Sequence, residues 1–177
     1  MATAQPLPFD PIAEARRQWI AHGWEDAADG MEVVTSVMRV QQLMLAAVDE
    51  VLEPFGLTFA RFELLALLSF TKDGALPLGR IGARLQVHPT SVTNAVDRLE
   101  REHLVERVAH PTDRRATLAT ITPAGRRLTA KATDALNSRI FTALPVSVDD
   151  LRSVTDALRL LRVVAGDPDA SGTALAR

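Results

Sequence analysis

The residues best suited to chemistry with a partner are the polar side chains of one predicted helix that begins at Pro89, since proline is favoured in the first turn of a helix. Hydroxyl, amide and guanidinium groups recur along it at steps of three and four residues, which places them on one face: Thr90, Ser91, Asn94, Arg98 and Arg101. Such groups hydrogen-bond the edges of DNA bases and bind phosphates. The pattern therefore predicts a helix that contacts nucleic acid.

The same helix has an apolar side that would hold it against a core. Val92, Val96 and Leu99 follow one another at four- and three-residue steps, the spacing of a helix that buries one face. A short helix over residues 79–85 comes before it, and residues 86–88 form the connecting turn. Two helices joined by a short turn are a weak sign of DNA binding by themselves, because any packed pair can imitate them.

A basic hairpin after the two helices makes the pattern more specific. Residues 104–109 and 114–122 are rich in Val, Thr, Leu and Ile and predict two strands. The turn-forming segment His-Pro-Thr-Asp lies between them at 110–113, and Arg114 and Arg115 follow near the tip. On charge alone, an arginine-rich stretch is equally well a solvated surface. Its placement on one helix face and a hairpin tip favours nucleic acid.

The spaced motifs of residues 87–125 resemble those of the MarR family of winged helix-turn-helix transcription regulators. Four runs carry the resemblance: VHPTSVTNAVDRLE at 87–100, LVER at 104–107, HPTDRR at 110–115 and LATITPAG at 118–125. In element order the resemblance covers about residues 31–165. Several separated motifs must coincide for such a match to arise by accident.

The resemblance implies a homodimeric regulator that places one recognition helix per subunit in successive major grooves of double-stranded DNA, with the hairpin wings in adjacent minor grooves. It also implies a small effector that changes the spacing of the two DNA-binding lobes. In the family, the Asp of the hairpin turn orients an Arg by a charge-assisted pair; the matching residues are Asp113 and Arg115. Arg115 would enter a minor groove whose narrow A·T tract concentrates negative potential. His110 departs from the family pattern, because many relatives have an acidic residue there.

The predicted DNA contacts divide by chemistry. We assign base edges to the hydroxyl and amide groups of Ser91, Thr93 and Asn94. Phosphates are assigned to Arg84, Thr90 and Arg98, and His88 is a turn residue or a further phosphate contact. The wing adds Asp113, Arg114 and Arg115.

Composition is that of an ordinary globular protein. The chain has 177 residues, 47% hydrophobic and 24% charged, which is enough for one domain with a sizeable core. Its net charge of -2 argues against nucleic acid, but residues 78–127 hold nine Arg and five acidic residues, a local excess of +4. Residues 1–77 carry a net -6. The positive charge therefore belongs to the predicted DNA-binding lobe.

Several classes of function are disfavoured by what the sequence lacks. It has no cysteine, which excludes the thiol-oxidation sensing of some MarR-type proteins as well as a disulfide framework. It has no Gly-rich phosphate loop, Gly-x-Ser-x-Gly elbow or His-Glu-x-x-His motif, so we expect neither an enzyme nor a cofactor. Its four histidines do not follow a compact metal-ligand spacing, and we expect no metal site. With no membrane span or leader sequence in the pattern, we expect a cytoplasmic protein.

Helices outside the DNA-binding lobe predict a dimerisation region, which makes the chain mainly α. Apolar seams recur at helical spacing in two segments: Val33, Val37, Val40, Met44, Ala47 and Val51 in the first, and Leu151, Val154, Leu158 and Leu161 in the second. Such stripes also fit packing inside one monomer, and the family resemblance favours the dimer. We divide the chain into an extension with a short helix (1–30), a MarR-type domain (31–165) and a flexible tail (166–177). In that domain, dimerisation helices at 31–53 and 123–165 flank a winged helix-turn-helix at 58–122.

The amino-terminal segment predicts an added helix from Asp10 and Pro11 to about Gly23. Such a helix with a tryptophan is similar to that of the urate-responsive branch of the family, where a tryptophan helps to cover an effector pocket. The resemblance assigns effector contacts to Trp19, Glu63 and Arg107, but Ala95 lies where that branch has a second Arg. The expected effector is therefore an aromatic or acyl acid rather than urate. Trp19 is equally well a packing anchor for the added helix.

Overall fold

The computed structural model describes residues 8–113 and 116–168 and divides the chain into two units, residues 1–140 and 141–177. Within the described part of the first unit the main elements are α1 (Pro11–Ala21), α2 (Glu25–Leu52), α3 (Phe59–Ser69), β1 (Ala75–Pro77), α4 (Leu78–Leu85), α5 (Pro89–Arg101), β2 (Val105–Ala109), β3 (Thr117–Ile121) and α6 (Pro123–Leu136). A 3-10 turn follows α2 (Glu53–Phe55), and a π-helical turn follows α6 (Asn137–Phe141). The second unit contains α7 (Val148–Val164). This is the mainly α, winged helix-turn-helix fold that the sequence predicts.

Three helices begin at residues whose side chains cap the first turn. The side-chain oxygens of Asp10, Thr122 and Ser147 accept hydrogen bonds from first-turn backbone N–H groups at 2.9, 3.0 and 3.1 Å. The first N–H groups of a helix have no partner inside the helix, so these side chains supply one. The starts of α1, α6 and α7 are therefore encoded locally.

The long helix α2 begins six residues before its expected start at residue 31. Its first turn contains Glu25 and Asp26, whose negative charges are favourable at a helix amino terminus. The helix passes through Gly30, since an interior glycine costs only about 1 kcal/mol relative to alanine. The expected boundary between extension and domain, after residue 30, thus falls inside one continuous helix.

The helix after the wing ends earlier than expected. A helix that begins at Pro123 meets no further proline before Pro145, yet α6 ends at Leu136 and a π-helical turn follows. Ser138 Oγ donates to the carbonyl oxygens of Asp134 and Ala135 at 2.9 and 3.1 Å. Such back-bonding competes with the regular ladder of the helix and loosens its last turn.

The sheet contains a strand that the sequence does not predict. Its order is β1-β3-β2 with antiparallel pairing, and Ala119 of β3 lies between Leu76 of β1 and Arg107 of β2. Strand β1 has only three residues and includes Pro77, which an edge strand tolerates. A segment this short has no readable period, so it gives no signal in the sequence.

A buried apolar cluster in the first unit holds α5 and the sheet together. Its largest fully buried side chains come from α2 to α6 and β2, namely Leu52, Leu64, Leu65, Leu68, Ile81, Val96, Leu99, Val105 and Leu136. Polar contacts join the outer helices. Asp49 of α2 accepts the backbone N–H of Phe59 at 3.0 Å, and Arg16 of α1 pairs with Asp29 and Glu32 of α2 at 2.7 and 3.2 Å.

Both predicted dimerisation seams are largely exposed in the single chain. Val33, Val37, Val40 and Met44 of α2 are each 40–51% exposed, whereas Val51 near the end of that helix is buried. In the second unit, α7 has no buried residue, and its stripe is exposed at Val154, Leu158 and Leu161. Exposed apolar faces of this extent are typical of surfaces that another chain covers.

No helix of the described segments is long and apolar enough to cross a membrane.

Candidate nucleic-acid interface

The reading helix α5 is closed at its amino end by an imidazole and a proline. His88 is the cap residue, and its Nδ1 accepts the backbone N–H of Thr90 at 3.2 Å. Pro89 occupies the first helical position, where a missing N–H costs nothing. His88 thus has a defined role in the turn, as the sequence suggests, and its ring is exposed.

The predicted base-reading residues lie together on the solvent face of α5. Ser91, Thr93, Asn94 and Arg98 are all exposed, while Val92, Val96 and Leu99 on the opposite side are buried. Thr93 Oγ1 donates to the carbonyl oxygen of Pro89 at 3.1 Å, which leaves its oxygen available as an acceptor. The helix therefore presents a mixed donor and acceptor surface, the kind that the major groove of DNA requires.

Helix α4, which ends at the turn before α5, adds a further cation to the same lobe. Gln86 ends α4 with a left-handed φ of 54°. Gly82 is buried beneath this turn, and a Cβ there would lie 3.2 Å from the carbonyl oxygen of Val87. Arg84, in the last turn of α4, is exposed, which suits its predicted contact with phosphate.

The wing, formed by β2, β3 and their connecting residues, is closed by a second imidazole. His110 Nδ1 accepts backbone N–H groups from Thr112 and Asp113 at 3.3 and 3.1 Å. The backbone of Ala116 donates to the carbonyl oxygen of Asp113 at 3.0 Å. Asp113 is exposed at this tip, whereas Arg114 and Arg115 lie outside the described residues. Their DNA contacts stay a prediction.

Ion pairs fix the carboxyl-terminal half of α5 on two sides. The guanidinium of Arg107 on β2 donates to the carboxylates of Asp97 and Glu100. Burial opposes the charge of Arg107, but these hydrogen bonds outweigh it and raise the pKa of the guanidinium above its ordinary value. On the other side, Arg61 of α3 donates to Glu102 at 3.1 and 3.3 Å.

Glu102 also lies 3.8 Å from Nε of Arg98, the predicted phosphate contact. The carboxylate therefore lies between a cation of α3 and a cation of the reading helix. Sequence reasoning did not find either ion-pair set, because the partners come from different elements and no local spacing marks them.

The three predicted effector residues lie in different environments. Trp19 of α1 is half-buried and meets Trp24 edge to face, with 5.4 Å between ring centroids. Burial raises the pKa of the Glu63 carboxyl on α3. Arg107, which the sequence assigns to the effector, has its guanidinium engaged by two carboxylates. Two cavities in the first unit, of about 360 and 390 Å³, are lined by other residues. The effector assignment stays a prediction.

Comparison with known proteins agrees with this geometry. A family model described as MarR family matches residues 55–116. Sequence matches to three Bacillus subtilis regulators, which include the repressor MdtR and the regulator MhqR, cover only about half of each relative, 47–52% of its length. The relatives are named as transcriptional regulators.

Solved structures match over a longer span. Sco5413, a MarR family transcriptional regulator from Streptomyces coelicolor, has 48% identity and a TM-score of 0.72 over 80% of this chain and 98% of its own. CouR from Rhodococcus jostii, bound to p-coumaroyl-CoA, has 25% identity and a TM-score of 0.64 over 73% and 91% of the two chains. An Escherichia coli MarR variant complexed with operator DNA has 20% identity and a TM-score of 0.70 over 76% and 96%, which shows a shared fold.

Proposed function

Because this chain belongs to the MarR family of transcriptional regulators, we propose that it acts as a homodimeric repressor that binds a specific DNA operator and leaves it when a small acid binds. The observation that carries this proposal is the exposed polar face of α5 beside a wing of the same lobe, in a segment with a local charge of +4 over residues 78–127. Polar groups on a helix suit base edges, and the surrounding cations suit phosphates.

Reading of the operator is assigned to α4, α5 and the wing of each subunit. Ser91, Thr93 and Asn94 contact base edges in the major groove, and Arg84, His88, Thr90 and Arg98 hold phosphates on either side. Asp113, Arg114 and Arg115 belong to the wing, with Arg115 in the minor groove. A twofold dimer then requires a pseudo-palindromic site with half-sites about 34–36 Å apart, one turn of DNA.

The exposed seam of α2 supports the homodimer. Its residues Val33, Val37, Val40 and Met44 repeat at steps of four, three and four, so they form a narrow stripe that a second copy can cover. The stripe of α7 adds a second apolar surface from the other unit. Burial of such stripes is the main favourable term in the association of helices.

An aromatic or acyl acid is the proposed effector class. Trp19, which is half-buried near the end of α1, offers an aromatic face, and Glu63 and Arg107 complete the proposed set. CouR binds an aromatic acyl thioester, p-coumaroyl-CoA, which supports a ligand of this class. Fluorescence of a Trp24→Phe variant, in which Trp19 is the sole tryptophan, reports on binding directly. A titration with aromatic and acyl acids that gives no saturable change would contradict this assignment.

Fluorescence anisotropy on DNA from upstream of the protein's own gene tests the DNA-binding proposal. We expect tight binding that prefers this fragment over a shuffled one and that weakens with salt, because each neutralised phosphate contributes about -0.9 to the log-log slope. Arg98→Ala should reduce the slope by about one contact. Lys131→Ala removes an exposed cation from α6 and serves as the matched control.

Two results would count against the proposal. Weak binding that is equal on both fragments across several candidate upstream regions would favour a winged helix that binds another protein. An equal change of slope in the Arg98 and Lys131 variants would show a general charge effect rather than a contact. An apolar protein interface would respond much less to salt than a phosphate interface does.

A further inference from the structure

Three charged side chains connect the reading helix to the wing, and we call them the helix-wing clamp: Asp97 and Glu100 of α5 and Arg107 of β2. The Arg107 guanidinium donates to both carboxylates, which lie three residues apart and therefore on one face of α5. Side-chain exposure is 25% for Arg107 and 39% for each acid. The clamp is thus partly shielded from water, where ion pairs contribute more than at an open surface.

The clamp lies where apolar packing between α5 and the wing ends. Alternate residues of β2 share one face, and on this face Val105 is buried, Arg107 is half-buried and Ala109 is exposed. On this face Val105 is therefore held by the core, and Ala109 lies towards the tip of the wing.

Glu100 also holds the backbone of the strand. Strand β2 is at the edge of the sheet, where backbone N–H groups on the outer side lack a strand partner. Glu100 Oε1 accepts the backbone N–H of Arg107 at 3.1 Å. One carboxylate therefore fixes both the main chain and the side chain of the same strand residue, which restrains the strand in position and in rotation.

The clamp is not itself suited to bind DNA. Its two carboxylates outnumber its one guanidinium, which leaves a net charge of -1 that repels phosphate. The donors of Arg107 are directed at Asp97 and Glu100 on the protein itself. The observations therefore fit a clamp that positions another DNA-binding residue better than a clamp that contacts DNA directly.

We propose that the helix-wing clamp sets the angle at which the wing leaves the reading helix, so that helix and wing enter neighbouring grooves together. Arg107 is then a positioning residue for Arg115. This inference rests on the proposed function as an operator-binding protein. It predicts that loss of the clamp acts through the wing and leaves the base contacts of α5 in place.

A double-variant cycle tests the clamp, with operator affinity measured for the unaltered dimer, Arg107→Met, Arg115→Ala and the double variant. Each single substitution should weaken binding about tenfold. If the double variant loses no more than that, the coupling between the two residues is also about tenfold, within the range seen for residues of one network. The double variant should lose little more than either single one. Both single variants should also lose the preference for A·T-flanked over G·C-flanked operators, which a general loss of stability would not remove selectively.

Three further variants separate positioning from loss of structure. Arg107→Lys keeps the charge but not the planar two-pronged geometry, and should recover only part of the affinity. Asp97→Asn weakens the clamp from the helix side, so it should give the same loss of flank preference even if Arg107→Met melts early. Arg17→Met breaks an exposed ion pair of α1 and should change nothing.

The outcomes distinguish this inference from the function on which it rests. Losses that add in the double variant, or an unchanged flank preference in both Arg107→Met and Asp97→Asn, would overturn the clamp while operator binding stands. Failure of the unaltered protein to bind any operator would overturn the proposed function, and the clamp with it.

Discussion

Substitution of Gly125 by alanine should break the junction between the wing and α6. A Cβ at this buried position would lie 2.2 Å from the carbonyl oxygen of Leu104 and 2.8 Å from Cγ1 of Ile121. A side chain could rotate away, but the Leu104 carbonyl belongs to the backbone. It also accepts the backbone N–H of Thr122 at 3.0 Å, and Thr122 is the residue between β3 and α6.

The expected loss of stability follows from these contacts. Overpacking of a filled site costs about 1–3 kcal/mol, and the backbone clash points to the upper end of that range. Weakening of the Leu104–Thr122 hydrogen bond adds about 1 kcal/mol, and the better helix propensity of alanine returns about the same amount. A net loss of about 3 kcal/mol should lower the melting temperature by about 6–12 °C for a chain of this length.

Thermal unfolding followed by circular dichroism measures this loss, at equal protein concentration because dimers melt in a concentration-dependent way. Gly30→Ala is the matched control, since Gly30 lies inside α2 with no atom within 4 Å of an added Cβ. The control should gain about 1 kcal/mol from helix propensity alone. A Gly125→Ala protein that melts within about 2 °C of the unaltered one would refute the packing argument.

Three further predictions concern charge, assembly and the wing. Because burial raises the pKa of the Glu63 carboxyl, its ionisation destabilises the fold as the pH rises. Glu63→Gln should therefore raise the melting temperature at pH 7 but not near pH 3, below the ordinary pKa range of glutamate, and Glu50→Gln, at an exposed position, is the control. Val40→Asp should shift the protein towards monomer in analytical ultracentrifugation, because Val40 lies in the middle of the exposed α2 seam, and an unchanged dimer would exclude that seam. Arg115→Ala should weaken binding to A·T-flanked operators more than to G·C-flanked ones, and an equal loss on both would remove its minor-groove role.

Local chemistry explains why much of the fold could be predicted. The side chains of Asp10, Thr122 and Ser147 start helices by bonding to N–H groups two or three residues away, so their effect is contained in a few letters of sequence. The same holds for the two faces of α5, because helical spacing alone separates Val92 and Val96 from Ser91 and Asn94.

Contacts between distant segments explain what could not be predicted. Strand β1 exists because β3 offers it a partner, and its three residues have no pattern of their own. The pairing of Arg107 with Asp97 and Glu100 depends on how β2 lies against α5, so no local spacing in the sequence indicates it. A long-range ion pair gives no periodic signal in the sequence. The family resemblance pointed to Arg107 but not to its two partners.

The two imidazole caps have a consequence for the hydrogen atoms of the rings. A backbone N–H can only donate, so Nδ1 of His88 and of His110 must carry a lone pair. In the neutral ring the hydrogen then lies on Nε2, and each fold-imposed cap selects one tautomer. An aspartate in either place would close the backbone equally well but would present only acceptors. Histidine closes the same turns while its second nitrogen remains a donor, the polarity that a phosphate oxygen requires.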